Sequence, residues 1–291
     1  MPFQTVPEAK PTGKDFSRVK PSVISLQAPR HSAVRCLVAG HAACRMPLRQ
    51  IAALRSTPLV LKTEPLPASF FKHADEQTVA GFAALAQANQ VAELADCDYT
   101  DWGVVAAPRF LGRAALAVAL TRFAAEGAWG ISPHLIPHRS LHALSGTVSQ
   151  ALKIHGPNFG VGGGPDGAAE ALLAASALLA DQQLPGVWVL LTGFDPELVP
   201  TDPADASVAQ PATECVAVAL ALMPATDRDR GVFLTIDAAD AENDGTCDWP
   251  TFSLENLAAT LCAGPTEASW QLGCGGWAIW DDSGAAVEMC Q

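Results

Sequence analysis

Between residues 74 and 95 the apolar positions Val79, Phe82, Ala83, Leu85 and Ala86 recur at helical spacing. Asp75 and Glu76 stand at the start of this stripe, where the positive end of a helix dipole favours acids. The pattern predicts a helix over 74–95. A short apolar run at 102–107 reads as a strand, an alanine-rich stretch at 114–125 as a helix, and 140–152 as another helix with Ser140 as its candidate cap. Residues 159–161 read as a short strand, 162–167 as a glycine-rich turn, and 168–180 as an apolar, almost charge-free helix that must be buried. The run at 187–191 is apolar without alternation, the mark of a strand covered on both faces, and 216–223 and 232–236 are two further strands. Upstream, 22–26 and 33–39 read as strands and 47–55 as a short helix, before a proline-broken connector at 57–67. Strand and helix alternate and then strands follow one another, which predicts an α/β domain with a mixed sheet.

The chain ends are less regular. The first twenty residues carry three prolines and several charges without an apolar period, so 1–21 is expected to be a disordered leader. Residues 22–240 then form the main domain, and 241–291 a divergent extension packed on it. Within that extension 254–261 reads as a helix, and Trp270, Trp277 and Trp280 lie among glycines. They either line a ligand or partner groove or pack a small C-terminal layer. The polar loop at 195–211 is too short to link two domains.

Composition removes several function classes. The 291 residues carry 30 Asp and Glu against 18 Lys and Arg, a net charge of −12 that repels a nucleic-acid backbone or an anionic membrane surface. No apolar run reaches the roughly 20 residues of a membrane span, and the N-terminus lacks an apolar signal core, so a cytoplasmic protein without membrane insertion is expected. The eight cysteines form no CxxC pair and have no histidines at ligand spacing, so no metal site is expected. Cys36 and Cys215 sit in apolar stretches and read as packing residues.

Three clusters invite chemistry. The run GVGGGPDG at 160–167 opens a helix after a strand, as a dinucleotide loop does, but the strand is only three residues long and Pro165 interrupts the fingerprint. His134, His138, His142 and His155, with Ser140 and Ser145, suggest a hydrolase or metal reading, although Pro133 and Pro137 argue for a loop in the first half of that stretch. Asp166 begins a helix, where a carboxylate serves more naturally as a cap than as a catalyst.

The segment SPHLIPHRSLHALSGTVSQALKIHGPNFGVGGGPDGAAEALLAASALL, followed by VWVLLTGFDPE, resembles the centre of the β-ketoacyl synthases of the thiolase superfamily. Gly156-Pro157-Asn158 matches the family's turn, Phe159 to Val161 its short strand, and the later TECVAVALALM its next core strand. FKHADEQTVAGFAAL and WGVVAAPRF extend the likeness more loosely, over about 22–236. The resemblance implies a thiolase-like mixed sheet flanked by helices, with a reduced C-terminal half. Condensing enzymes of the family place a cysteine at the strand-to-helix turn, where the helix N-terminus activates the thiolate and backbone N–H groups receive an oxyanion. Here that elbow reads Gly163, Gly164, Pro165, Asp166, and no cysteine lies between Cys97 and Cys215. No histidine follows His155, so the family's two catalytic histidines are missing as well.

The implied function is that of a noncatalytic subunit resembling a chain-length factor. It would pair with an active β-ketoacyl synthase, and through it meet an acyl carrier protein, in polyketide, aryl-polyene or fatty-acid-type synthesis without a cofactor of its own. His138, His142, Ser145, Phe159 and Gly162 become the candidates for the interface or acyl tunnel. His142 is the one whose match to the family's loop places it near the pocket or the dimer interface. An acyltransferase or hydrolase of acyl thioesters, with Ser145 or Cys215 as a relocated nucleophile, is the alternative, and a self-associating scaffold a third class.

Overall fold

A computed structural model of the protein describes residues 33–57, 59–61, 64–67, 69–90, 94, 96–133, 135–181, 183–198, 213–238, 249–264, 267–273 and 275–282. The expected leader, the strand at 22–26 and most of the loop at 195–211 lie outside them. So does His134.

One eight-stranded sheet organises the rest. In chain order its strands are β1 (Val34–Pro47), β4 (Gly103–Pro108), β5 (Asn158–Gly160), β6 (Val187–Asp195), β7 (Glu214–Pro224), β8 (Val232–Asp237), β9 (Glu267–Gln271) and β10 (Trp277–Asp282). Across the sheet they run β5-β4-β6-β7-β1-β8-β10-β9. β4 pairs in parallel with β5 and β6, and every other neighbour is antiparallel. Strands β2 (Val60–Leu61) and β3 (Glu64–Pro65) form a separate small hairpin.

Side-chain size on the central strands decides which helix lies where. On β7, Val216, Val218, Leu220 and Leu222 face one side, against α6 (Gly167–Ala180) and α7 (Leu254–Ala263). The alternate residues Cys215, Ala217, Ala219 and Ala221 are small and face the other side, leaving room for α2 (Glu76–Ala88). That second face also receives α1 (Leu48–Leu54) and α5 (His142–Leu152). A strand buried on both faces reads as a continuous apolar run, as foreseen for 187–191; β6 in fact stays buried from Val187 to Phe194.

Tertiary pairing moved several boundaries. The predicted strand at 33–39 continues to Pro47, because β7 supplies hydrogen-bonding partners for GHAACRMP, which has little strand character of its own. The predicted helix at 74–95 ends at Ala88, where the Asn89 side chain turns to the Tyr99 hydroxyl at 2.5 Å instead of extending the helix. Ser140 does not cap α5; Leu141 occupies the cap position, and the Ser140 carbonyl accepts from the Ala143 N–H at 2.9 Å. The tryptophan-rich tail forms β9 and β10, which continue the main sheet: Trp270 and Trp280 are buried on the α6/α7 face. The remaining helices, α3 (Arg113–Glu126) and the single turn α4 (Leu135–His138), connect β4 to α5.

Candidate functional site

The turn between β5 and α6 is built by glycines, two of them for reasons the backbone states directly. Gly162 and Gly163 have φ of +73° and +102°, a region that L side chains rarely adopt. The Gly163 carbonyl accepts from the Phe110 N–H at 3.1 Å, which ties the turn to the end of β4. Just before them, Gly160 runs so close to α5 that a Cβ there would fall 2.2 Å from the carbonyl carbon and oxygen of Leu141. Backbone conformation and close packing thus account for Gly160, Gly162 and Gly163 without invoking a dinucleotide.

Gly164 faces open space, and Pro165 and Asp166 are exposed. From Gly162 to Asp166 the turn therefore offers no thiol, hydroxyl or amine. Its proline also lacks the N–H that an oxyanion would use. Asp166 stands at the N-cap position of α6, but its carboxylate makes no capping hydrogen bond, contrary to expectation. It lies instead against the β9–β10 turn, where a Cβ on Gly273 would come 2.6 Å from its Oδ1. Its charge still faces the positive end of the α6 dipole.

Among the described residues the histidines of this series do not form one cluster. His142 opens α5 and is exposed, His138 ends α4 with its ring 5.6 Å from that of His73, and His155 lies beyond the other end of α5. An 11-residue helix separates His142 from His155 by about 16 Å. No group of three metal-ligating side chains occurs among the described residues. Ser145 is fully buried, with its Oγ 3.2 Å from His142 Nδ1 and 3.3 Å from the His142 carbonyl it donates to. That hydroxyl is spent inside its own helix. Phe159 is 44% exposed on the edge strand β5.

The relocated-nucleophile reading fares poorly at Cys215 too. Burial pushes its thiol far above the usual range, and the nearby Cys44, Asp75 and Glu76 push in the same direction. Burial likewise raises Cys36 to about 12, and chiefly burial raises Cys44 to about 11. Since the thiolate is the reactive form, alkylation at neutral pH followed by peptide mass spectrometry should modify exposed Cys262 well before Cys36 or Cys215. Labelling of Cys215 as fast as Cys262 would overturn this assignment.

A polar network beside the turn escaped the sequence reading. Gln77, 1% exposed, donates to the Arg109 carbonyl at 2.8 Å and accepts from Thr192 Oγ1 at 2.9 Å. Arg109 donates to the Phe194 carbonyl at 2.6 Å and pairs with Glu255 at 2.7 Å, so the ends of β4 and β6 are fastened to α2 and α7. Next to it, Asp75 caps α2 through the Thr78 N–H at 2.8 Å. Burial raises its carboxyl above the usual range, although Thr78 and Arg139 pull the other way. The available signal was Gln77 itself, a polar residue inside an otherwise apolar helix. The network ties the ends of strands β4 and β6 to the helices on both faces.

No protein-family model matches the chain, and no curated protein does. Solved structures do. A chain of the ketosynthase ApeO in complex with its chain length factor ApeC, from Xenorhabdus doucetiae, aligns at 16% identity over 85% of this chain and 99% of that one, with a TM-score of 0.50. The ishigamide ketosynthase/chain length factor aligns at 13% identity over 85% and 98%, with a TM-score of 0.53. A chain of the type II AntDE:AntF assembly, an acyl-carrier protein in complex with its ketosynthase, matches over 64% of this chain at 13% identity with a TM-score of 0.42, and this chain spans 62% of that one's length. The chain has the thiolase-like mixed α/β fold of ketosynthases and chain length factors.

Proposed function

We propose that the protein is a noncatalytic, chain-length-factor-like subunit that pairs with an active β-ketoacyl synthase in the cytoplasm and, through it, serves acyl-carrier-bound chains. One observation carries the reading: the strand-to-helix turn at the N-terminus of α6, which this fold uses to present a nucleophile in condensing enzymes, has only Gly162, Gly163, Gly164, Pro165 and Asp166. Such a turn can hold its shape beside an acyl chain but cannot form an acyl-enzyme. In this reading the thioester chemistry belongs to the partner's cysteine, and this chain contributes surface and shape. Exposed Phe159 and His142, with His138 and Gly162, supply contacts; buried Ser145 supports α5 from within. No cofactor enters the reaction.

The test is co-expression with the cysteine-bearing ketosynthase of the same genome. The expected result is a one-to-one complex whose product length changes when this subunit is omitted, while the chain alone releases no thiol from acyl thioesters. A soluble homodimer that releases thiol, and stops doing so in Ser145→Ala or Cys215→Ala, would refute the proposal in favour of the relocated nucleophile.

A further inference from the structure

Helix α3 contradicts the ordinary logic of a soluble surface. Its sequence, RAALAVALTRFAAE, is dominated by alanine and leucine and ends at Gly127, which has a φ of +70°. None of its described side chains is buried. Leu116, Leu120 and Phe123 follow one another at i, i+4 and i+7 and are 42%, 66% and 51% exposed. Val118, 58% exposed, points from the opposite side, and Trp129 in the following turn is 100% exposed. A helix that is apolar all round belongs in an interior.

We infer that α3 and Trp129 are enclosed by a groove of an unlike folded subunit, the synthase partner of the pairing proposed above, on which this inference rests. The size of the patch argues for a folded protein. Leu116, Leu120, Phe123 and Trp129 alone leave roughly 500 Å² of residue surface open, well over half of the ~800 Å² each partner buries in a stable complex. Position argues the same way, since α3 begins three residues after Phe110, whose N–H holds the Gly163 carbonyl of the vacant turn. A second copy of the chain, packing helix to helix about a two-fold axis, would cover the Leu116–Leu120–Phe123 stripe and leave Val118 in water. It would also bring together two chains of net charge −12. A membrane surface favours a helix with a strongly charged face, and α3 has only Arg113, Arg122 and Glu126 scattered around it.

The test uses Leu120→Asp, Phe123→Asp and Trp129→Ala in the full chain, with circular dichroism and thermal melting to follow the fold. All three side chains are at least half exposed, so melting is expected to stay at the wild-type value. Binding to the co-purified ketosynthase should weaken about 100-fold for either aspartate variant, and hydrogen exchange of the α3 amides should slow on pairing in wild type. If wild type pairs and the variants pair as tightly, this inference falls and the pairing stands. If wild type pairs with no ketosynthase, both fall. Variants that convert a wild-type homodimer to monomer, or wild-type binding to phosphatidylcholine or phosphatidylglycerol vesicles that the variants lose, would overturn the unlike-subunit assignment.

Discussion

Gly160→Val is expected to yield almost no soluble folded protein, whereas Gly164→Val, four residues away in the same turn, should melt like wild type. At Gly160 a Cβ would lie 2.2 Å from the carbonyl carbon and oxygen of Leu141 and 2.7 Å from the His142 nitrogen. Both sides of that contact are backbone. Strand β5 is held to β4 by its parallel register and by the Val161 N–H to Ala106 carbonyl bond at 2.9 Å. Helix α5 cannot retreat without drawing Leu144 and Val148, both fully buried, out of the core. Displacing two such side chains costs several kcal/mol, comparable to the whole stability of a domain, about 5–15 kcal/mol. At Gly164 nothing lies within 4 Å of the added atom, and a surface change of that kind moves stability by about 0.5 kcal/mol or less. Soluble yield and melting temperature of the pair check the claim, and equal behaviour of the two variants would refute it.

The second large effect sits at the far end of the same strands. Trp102, 1% exposed, meets Tyr99 edge to face at 5.0 Å and stands 6.2 Å from Trp188. Gly186 approaches its ring so closely that a Cβ there would come within 2.6 Å. Truncating a buried tryptophan removes its transfer free energy and leaves a cavity these rigid neighbours cannot refill, so Trp102→Ala should cost about 3–5 kcal/mol. In a domain of this size that corresponds to a fall of roughly 6–20 °C in Tm. Trp188→Phe should cost less, because the buried Trp188 indole N–H has no hydrogen-bond partner to lose. Thermal melts of the two variants side by side decide the point; a Trp102→Ala protein that melts within 2 °C of wild type would contradict it.

What the sequence revealed depended on how local the cause was. Strands β6 and β7 were legible because burial on both faces leaves long apolar runs, and α6 because Glu170 is its sole charge, although its Glu170, Ala177 and Ala180 face solvent rather than the interior. The glycine-rich turn was legible for another reason: Gly160, Gly162 and Gly163 answer local backbone conformation or contacts with the neighbouring start of α5. The extension of β1 to Pro47 was not, since its cause is a register with β7 more than 160 residues away. Nor was the role of the tryptophan-rich tail as strands β9 and β10, of which β10 pairs with β8 and β9 with β10. The histidine series illustrates the same limit in reverse, because closeness along the chain became separation in space once α5 was laid between His142 and His155. Helix α3 was foreseen as a helix, but its composition alone could not say that the fold would leave it outside.

The central claim is that acyl chemistry takes place on a partner and not on this chain. Intact-protein mass spectrometry of the complex with its ketosynthase, after exposure to an acyl thioester, addresses it most directly. The account predicts an acyl mass increment on the cysteine-bearing partner and an unchanged mass for this chain. An increment on this chain, removed by substituting one of its own side chains, would contradict it.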